Sequence, residues 1–360
     1  MTDVVQHLKD LIRADGPVTV AEFMRIALTA RGDSYYRSRD PLGAAGDFVT
    51  APEVSQIFGE LIGLWCADVW RQLGAPKKFA LVELGPGRGT LMRDALRAVR
   101  VVPGFLDSVS IVLVEVSEAL RRVQRDTLPA LPVHWRDRFD DIDDSHGPMI
   151  VVANEFFDAL PVHQFVRTQA GWAEQCVGLD AAGELMFGAS AGGDAVVPDV
   201  LRDAAVGSIV EIAPARTAIA QVVGERIAAS GGALLAIDYG FAGPAVGDTL
   251  QAVKAHRYVD VLADPGTADL TSHVDFTALG EALADSGARV CPLATQGDFL
   301  KALGASARVA ALKVKASAAQ AADLDAALHR LTDAQAMGSL FKVLCAVAPV
   351  SVQPAGFSAS

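Results

Sequence analysis

Residues 79–91 read FALVELGPGRGTL and join three local signals. Phe79 to Leu84 form a short apolar run with one acid in it, which predicts a buried strand. A glycine-rich turn follows, and the segment after it, TLMRDALRAV, has its apolar residues at helical spacing. A strand, a glycine turn and a helix are typical of the first unit of a nucleotide-binding α/β fold, because glycine lets a ligand approach backbone N–H groups and the helix N-terminus.

The glycine spacing and one acid narrow the class of ligand. The turn reads G-x-G-x-G rather than the G-x-G-x-x-G that cradles a pyrophosphate. Glu83 directly precedes the turn, where a carboxylate suits a cation better than a phosphate. An adenosyl compound with a cationic centre fits both features, which describes S-adenosylmethionine. We predict that this cofactor is bound by Glu83, Gly85, Pro86, Gly87 and Gly89. The alternative is a tight strand-to-helix turn that binds no ligand.

A second acid, Glu115, supports the adenosyl ligand. It ends another apolar run, IVLVEVS at residues 111–117. In doubly wound folds an acid at the tip of the second strand holds the ribose hydroxyls. We therefore predict that Glu115 binds the ribose, and the alternative is a strand-end carboxylate that faces water.

Composition and charge limit the classes of partner. The chain has 360 residues, is 51% hydrophobic, and carries a net charge of −12. An acidic protein of this kind is a poor candidate for binding nucleic acid backbones, so we expect no nucleic-acid partner. The acidic surface suits a basic protein or peptide instead.

The cysteines, histidines and N-terminus carry no special signal. The four cysteines lie far apart, and most of them stand in apolar runs, so reduced core thiols are expected. The histidines show no metal spacing, and we predict no metal site and no membrane span. The first residues, MTDVVQHLKDLIRADG, resemble neither a signal peptide nor a transit segment, so we predict a cytoplasmic enzyme.

Along the rest of the chain, apolar strand runs alternate with amphipathic helices. This pattern predicts an α/β fold with a doubly wound, Rossmann-like and mostly parallel sheet. The predicted strands are residues 79–84, 111–117, 131–135, 149–154, 233–240, 288–293 and 339–350. The last of these seven follows helical segments and suits the antiparallel strand that ends a class I methyltransferase sheet.

Changes in pattern predict the domain organisation. Residues 1–75 form a helical N-terminal extension with a lid for the donor site, residues 76–350 the α/β domain that binds the adenosyl ligand, and residues 351–360 a tail. Two insertions interrupt the domain, a β-rich one at about 161–213 and an irregular one at 241–271. Both follow predicted strands at the sheet edge where ligands bind in open α/β folds.

Several longer blocks resemble a known family. In chain order they are GDFVTAPEVSQIFGE, LVELGPGRGTLMRD, ANEFFDALPVHQF, IDYG, DTLQAVKAH, DLTSHVDF, TQGDFL and MGSLFKVL. This series is similar to the motifs of the MidA family of class I S-adenosylmethionine-dependent methyltransferases, from about Asp15 to about Pro349. The mitochondrial member of that family is a protein arginine methyltransferase needed for assembly of respiratory complex I. The resemblance implies methyl transfer to an arginine of a partner protein, with a complex I subunit as a candidate.

The tip of the fourth predicted strand carries the candidate catalytic residues Asn154, Glu155 and Asp158. If the acceptor is a guanidinium, carboxylates aim its nitrogen at the methyl group, because they bind the planar fork bidentately. The alternative is a turn in which Asn154 and Asp158 satisfy backbone groups. The candidate residues of the acceptor pocket are Asp238, Tyr239, His273 and Tyr36, although His273 equally suits local bonding at a helix start.

The remaining candidates concern the donor. Asp47, Phe48 and Thr50 are predicted to fold over it as a lid, and Thr50 also suits a helix cap followed by Glu53. Asp137, after the third strand, is predicted to lie near the adenine.

Three functions remain open at this point. The first is a protein arginine methyltransferase, the second an assembly factor that binds S-adenosylmethionine with little turnover, and the third a small-molecule methyltransferase. The intact acids and glycines of the predicted site favour an enzyme. The oligomeric state is open, with a homodimer as one option.

Overall fold

The computed structural model describes residues 4–29, 35, 50–128, 132–193 and 196–357. Its α-helices are α1 (Val4–Asp15), α2 (Val20–Thr29), α3 (Ala51–Val54), α4 (Gln56–Gln72), α5 (Thr90–Ala98), α6 (Phe105–Ser108), α7 (Glu118–Thr127), α8 (Pro214–Ser230), α9 (Phe276–Asp285), α10 (Gln296–Ala302), α11 (Ala305–Lys313), α12 (Ala318–Thr332) and α13 (Met337–Leu340). Short 3-10 turns lie at Val99–Val101, Phe139–Asp141, Asp144–His146 and Asp199–Leu201. None of the helices within these ranges has the length and apolar character needed to cross a bilayer.

The strands are β1 (Val18–Thr19), β2 (Phe79–Leu84), β3 (Val109–Val114), β4 (Val133–Arg136), β5 (Met149–Asn154), β6 (His163–Thr168), β7 (Gly171–Leu179), β8 (Leu185–Ala191), β9 (Ile209–Ile212), β10 (Gly232–Phe241), β11 (Gln251–Lys254), β12 (Arg257–Val259), β13 (Asp269–Thr271), β14 (Val274–Asp275), β15 (Arg289–Val290), β16 (Ala294–Thr295) and β17 (Phe341–Ala348).

The chain divides into two compact units. The central-sheet unit comprises Val49–Phe157, Ile219–Phe241 and Leu279–Ser360. The β-insertion unit comprises Met1–Phe48, Asp158–Ala218 and Ala242–Ala278. Both predicted insertions thus group with the first residues of the chain.

The predicted boundary at residue 75 differs from this division, because α4 belongs to the central-sheet unit. Two glycines of α4 let it pack closely on α5. A Cβ atom at Gly59 would lie 2.8 Å from Asp94 Cβ, and one at Gly63 would lie 2.6 Å from Ala95 Cα. Larger side chains at these positions would push the two helices apart.

The central sheet has the strand order β15-β17-β10-β5-β2-β3-β4. Strands β4, β3, β2, β5 and β10 run parallel to their neighbours, whereas β17 runs antiparallel to β10. The predicted doubly wound α/β fold with an antiparallel last strand is therefore confirmed. Every residue of β2 and of β5 is buried, as expected for strands that are covered on both faces.

The β-insertion unit has its own sheets and core. Strands β1, β7, β6 and β9 form a sheet in that order, with β8 added to β7, and β12, β11 and β13 form a second sheet. Helices α1 and α2 supply apolar side chains to its core, among them Leu8 and Phe23, which are fully buried with Val177 of β7. Thr19 caps the start of α2, because its Oγ1 accepts a hydrogen bond from Glu22 N.

Some local predictions were wrong. Thr50 makes no side-chain cap, and α3 ends at Ser55, whose extended backbone starts α4 and whose hydroxyl caps it. The strand predicted at 288–293 is only β15, and β16 begins just after the predicted range. Pro292 lies between them and lacks the N–H that a continuous ladder needs. All four cysteines are buried and free, as predicted.

Candidate active site

The carboxyl ends of the central strands meet at one edge of the sheet. Leu84 at the end of β2 pairs with Val114 of β3 and with Ala153 of β5. Asn154, the last residue of β5, pairs with Ile237 of β10. Since parallel strands end together, the residues that follow them lie along the same edge, which is where ligands bind in open α/β sheets.

The glycine turn has the backbone that its sequence predicts. Gly85, Gly87 and Gly89 have φ angles of 60°, 53° and 78°, a region that favours glycine. A Cβ atom at Gly85 would lie 2.9 Å from Cδ2 of Phe156, so the Phe156 ring lies directly against the turn. Pro86 O accepts a hydrogen bond from Gly89 N and closes the turn before α5 begins.

Glu83 is a buried acid beside this turn. Its side chain is 3% exposed, and Oε2 has no hydrogen-bond partner among the described residues. Burial raises the pKa of Glu83 to about 8. A carboxyl that is neutral at pH 7 and has an unused acceptor would gain strongly from a cationic ligand. These features fit the positively charged S-adenosylmethionine.

Glu115 directly follows β3 and is held on several sides. Oε1 accepts a hydrogen bond of 2.7 Å from Ser117 N, and Oε2 accepts one of 3.3 Å from Gln124 Nε2. Burial raises the pKa of Glu115, whereas the hydrogen bonds from Ser117 and Gln124 oppose that shift. A carboxylate oriented in this way is suited to accept hydrogen bonds from ribose hydroxyls.

Asp137 lies in a different environment. Its side chain is 71% exposed and accepts a 2.6 Å hydrogen bond from Arg121, which also donates to the carbonyl oxygen of Glu115. The contacts of Asp137 are thus those of a surface ion pair, and its place beside the adenine stays a prediction.

The tip of β5 combines two unusual features. Glu155 has a φ of 50°. This backbone conformation is unfavourable for any residue other than glycine, and such strained residues are often found at functional sites. Its Oε1 accepts hydrogen bonds of 3.0 Å from Asn154 Nδ2 and from Ala51 N. Asn154 is buried, and its Oδ1 is without a hydrogen-bond partner in the part of the chain that the structure describes. A buried acceptor and a carboxylate therefore stand next to each other at the ligand-bearing edge.

The tip of β10 differs from the prediction of an acceptor pocket. Asp238 is fully buried, and its carboxylate accepts hydrogen bonds from Phe157 N and from Tyr239 N, each 3.0 Å long. Tyr239 is 3% exposed and packs edge-on against Phe341 at 5.5 Å. The structure gives Asp238 a role in holding the 155–157 turn and Tyr239 a place in the core. The two side chains point to opposite faces of β10, and both are buried because this strand lies inside the sheet, between β17 and β5.

Asp158 and His273 belong to the β-insertion unit, where one buried arginine connects their backbones. Arg216 donates to His273 O at 2.7 Å, to Asp158 O at 3.1 Å and to Ser272 Oγ at 2.6 Å. His273 N also donates to Thr249 Oγ1, which is the local bonding that the sequence left open for this residue. Asp158 is buried beside this cluster of carbonyl groups.

The predicted lid is only partly visible. Asp47, Phe48 and Tyr36 lie outside the described residues. Thr50 lies within the described residues and directly precedes α3. Helix α3 is hydrogen-bonded both to the tip of β5 and to the start of α5. Ala51 N donates to Glu155, and Glu53 Oε1 accepts a 2.5 Å hydrogen bond from Thr90 Oγ1 in the first turn of α5.

Three residues of this region have contacts that the sequence analysis did not predict, and only Glu53 was named there, as part of a helix cap. Phe156 packs on the glycine turn, Glu53 binds Thr90, and Gln124 connects Glu115 to the turn. A signal existed for Gln124, since it is an uncharged polar residue within the charged run RRVQRD.

Comparison with known proteins decides the family. Residues 61–293 match the family described as "Putative S-adenosyl-L-methionine-dependent methyltransferase". The chain belongs to this methyltransferase family. Fold, cofactor and enzyme class follow from that membership, and the predictions of an α/β methyltransferase that uses S-adenosylmethionine are confirmed.

Named relatives cover most of the chain. "Protein arginine methyltransferase NDUFAF7, mitochondrial" of Danio rerio is 38% identical, over 94% of this chain and 85% of the relative. The Homo sapiens protein of the same name is also 38% identical, over 88% and 77%. The mitochondrial designation of these methyltransferase relatives contradicts the predicted cytoplasmic location, which rested only on the character of the N-terminal residues.

A solved structure supports the cofactor. A Burkholderia thailandensis protein, whose crystal structure contains bound S-adenosyl-homocysteine, is similar to this chain with a TM-score of 0.83 and 28% identity. The similarity covers 99% of this chain and 92% of that protein. The same fold therefore binds the demethylated form of the cofactor in a relative.

Proposed function

We propose that this methyltransferase transfers a methyl group to the guanidinium of an arginine in a partner protein. The relatives named protein arginine methyltransferases, similar over most of the chain, support this acceptor. The observation that carries the proposal is the arrangement at the end of β5. There a carboxylate on a strained backbone, Glu155, stands beside the unused buried oxygen of Asn154.

This arrangement suits a planar cation with several N–H donors. The guanidinium offers its donors in a fixed fork, and carboxylate and amide oxygens accept them with defined geometry. Bound S-adenosylmethionine supplies the electrophilic methyl group. Glu155 and Asn154 hold the fork in one orientation, so that one nitrogen forms the bond to the methyl group as the bond from that group to sulfur breaks and S-adenosyl-homocysteine leaves. The carboxylate of Glu155 stabilises the positive charge on this nitrogen and can accept the proton that it loses.

The donor side of the proposal uses the residues of the central-sheet unit. Glu83 balances the positive charge of the donor, the glycine turn lets it approach the backbone, and Glu115 binds its ribose. The catalytic role predicted for Asp158 and the acceptor-pocket role predicted for His273 stay predictions, and Arg216 holds the backbones of both residues within the β-insertion unit.

The proposed partner is a protein with a basic segment, since the enzyme carries a net charge of −12. The resemblance to the MidA family favours a subunit of respiratory complex I. Two alternative functions would replace this proposal if it fails: an assembly factor that binds S-adenosylmethionine with little turnover, and a small-molecule methyltransferase.

The test is transfer of labelled methyl groups from S-adenosylmethionine to complex I subunits, followed by hydrolysis and separation of methylated amino acids. We expect the label in methylarginine. Label in another residue or in a small molecule would contradict the arginine acceptor, and binding without any transfer would favour the assembly factor.

A variant separates chemistry from donor binding. Glu155→Gln keeps the shape and an oxygen for Ala51 N but removes the charge that orients the guanidinium. We expect turnover to fall by about a hundredfold or more while the donor dissociation constant is unchanged. Glu281→Gln, at an exposed position of α9, is the matched control and should keep full turnover. If Glu155→Gln also keeps full turnover, Glu155 does not bind the acceptor.

A further inference from the structure

Gln124 is a fully buried side chain in α7 whose amide makes three hydrogen bonds. Nε2 donates to Gly87 O at 2.7 Å and to Glu115 Oε2 at 3.3 Å. Oε1 accepts a hydrogen bond of 2.8 Å from Trp135 Nε1, at the other side of the amide. One side chain thus contacts both the glycine turn and the acid that we assign to the ribose.

Trp135 determines which way this amide faces. The indole Nε1 can only donate, so it must meet the oxygen of the Gln124 amide and not the nitrogen. The NH₂ group of Gln124 is then directed at Gly87 O and Glu115 Oε2, and its two N–H bonds supply one donor to each of these acceptors. The chemistry of the three partners therefore fixes the orientation without reference to hydrogen positions.

We propose that Gln124 is a positioning residue for the donor: it orients the Glu115 carboxylate toward the ribose and fixes the glycine turn at Gly87. An acid that accepts a directed hydrogen bond on one oxygen keeps fewer rotamers, so less freedom is lost when ligand hydroxyls bind to it. The inference concerns donor binding, which family membership supports, and does not depend on the arginine acceptor.

The decisive variant is Gln124→Glu, which has the same shape. It keeps an acceptor for Trp135 but places a second carboxylate against Glu115 and against Gly87 O. We expect the donor dissociation constant to rise by about tenfold to a hundredfold at pH 8. At pH 6 the loss should be smaller, because two adjacent carboxyls share a proton and an O–H donor is restored.

The surrounding charges do not produce this pH response by themselves. Arg121 on the same helix binds Glu115 O, Arg125 lies over the Trp135 ring at 5.0 Å, and Asp137 pairs with Arg121. All of these groups are also present in the wild type. The ratio of variant to wild-type affinity at each pH therefore isolates the new carboxyl pair.

Gln221→Glu is the matched control. Gln221 is an exposed helical glutamine that donates to Glu225 at 2.9 Å, so the substitution creates the same like-charge contact on the surface of α8. We expect its donor affinity to equal that of the wild type at both pH values.

The experiment is titration calorimetry with S-adenosyl-homocysteine on the full chain, for Gln124→Glu, Glu115→Ala and the double variant. If Gln124 acts through Glu115, the double variant should lose much less affinity than the product of the two single-variant fold-losses. The reason is that it has no carboxylate at position 115 left to orient. Losses that multiply, or an affinity of Gln124→Glu equal to the wild type, would overturn the proposal. If Gln124→Glu does not fold, Trp135→Phe gives the same test with a smaller loss of about threefold to tenfold, since it releases the amide without adding charge.

Discussion

The two units of this enzyme use buried polar side chains in opposite ways. In the central-sheet unit, Glu83 is buried with an oxygen that has no partner among the described residues, and burial raises its pKa to about 8. In the β-insertion unit, the buried Arg216 directs its guanidinium at backbone oxygens, and the half-buried Glu211 accepts hydrogen bonds from Gln164, Thr249 and Leu250. The first acid lowers stability and suits a ligand, whereas the other two groups hold chain segments together.

This difference gives a physical criterion for separating site residues from structural ones. A buried group that costs free energy in the folded chain must be retained for another reason, and ligand binding is one such reason. A buried group with all of its contacts on the backbone is explained by folding alone. By this criterion Glu83 is the stronger candidate for the donor site, whereas the Asp238 carboxylate, which binds two backbone N–H groups, has a role in the fold.

The largest effect is expected at the glycine turn. Gly87→Val places a branched side chain on a backbone with a φ of 53°, where the ligand must approach. Donor binding measured by calorimetry should be abolished, while far-UV circular dichroism stays nearly unchanged. Retained binding would show that the turn is not the donor site, and would contradict the assignment of ligand binding to the central-sheet unit.

Arg216→Met tests the other side of the comparison. The substitution leaves several carbonyl oxygens of the β-insertion unit without a donor, so the free energy of unfolding in urea should fall by about 3 kcal/mol or more. Donor affinity should not change under conditions where the variant is folded. Arg202→Met, which removes an exposed pair with Asp199 in the same unit, should cost less than about 1 kcal/mol. Equal costs for the two variants would contradict the structural role of Arg216.

Glu83→Gln changes stability with the opposite sign, because it removes a buried acid that costs free energy at neutral pH. The pKa of Glu83 is about 8 in the folded chain against an ordinary value of 4.5, so the folded state binds more protons between these values. Its contribution to stability is complete below pH 4.5 and is lost as the pH rises toward 8. In the wild type this group lowers the free energy of unfolding by up to about 1.4 kcal/mol for each pH unit between 4.5 and 8. The variant lacks this decline, so it should be more stable than the wild type at pH 7. Identical pH profiles in urea unfolding would mean that Glu83 is ionised in the free protein.

The fold was predictable where local pattern and burial agree. Strands β2 and β5 coincide with apolar runs bounded by turn residues, and their predicted limits match the structure. Prediction failed where one residue interrupts a pattern. Pro292 divides the sixth strand, and Gly304, with a φ of 88°, separates α10 from α11 within a segment that looks continuously helical.

The site was only partly predictable, because side-chain direction depends on register. The glycine turn, Glu83 and Glu115 follow from the order of strand, turn and acid along the chain. The burial of both Asp238 and Tyr239 depends on the pairing of β10 with β5 on one side and β17 on the other, which no local pattern contains. Gln124 was missed because its partners are a backbone oxygen, an acid and an indole from three other segments.

The most direct test of the contrast between the two units is the proton balance of donor binding. Titration calorimetry of S-adenosylmethionine at pH 7, in buffers with different ionisation enthalpies, counts the protons exchanged on binding. A neutral Glu83 that ionises beside the cationic donor predicts release of close to one proton by the wild type, and almost none by Glu83→Gln. Binding without proton release in the wild type, or equal release by the variant, would contradict the assignment of Glu83 as the acid that receives the donor.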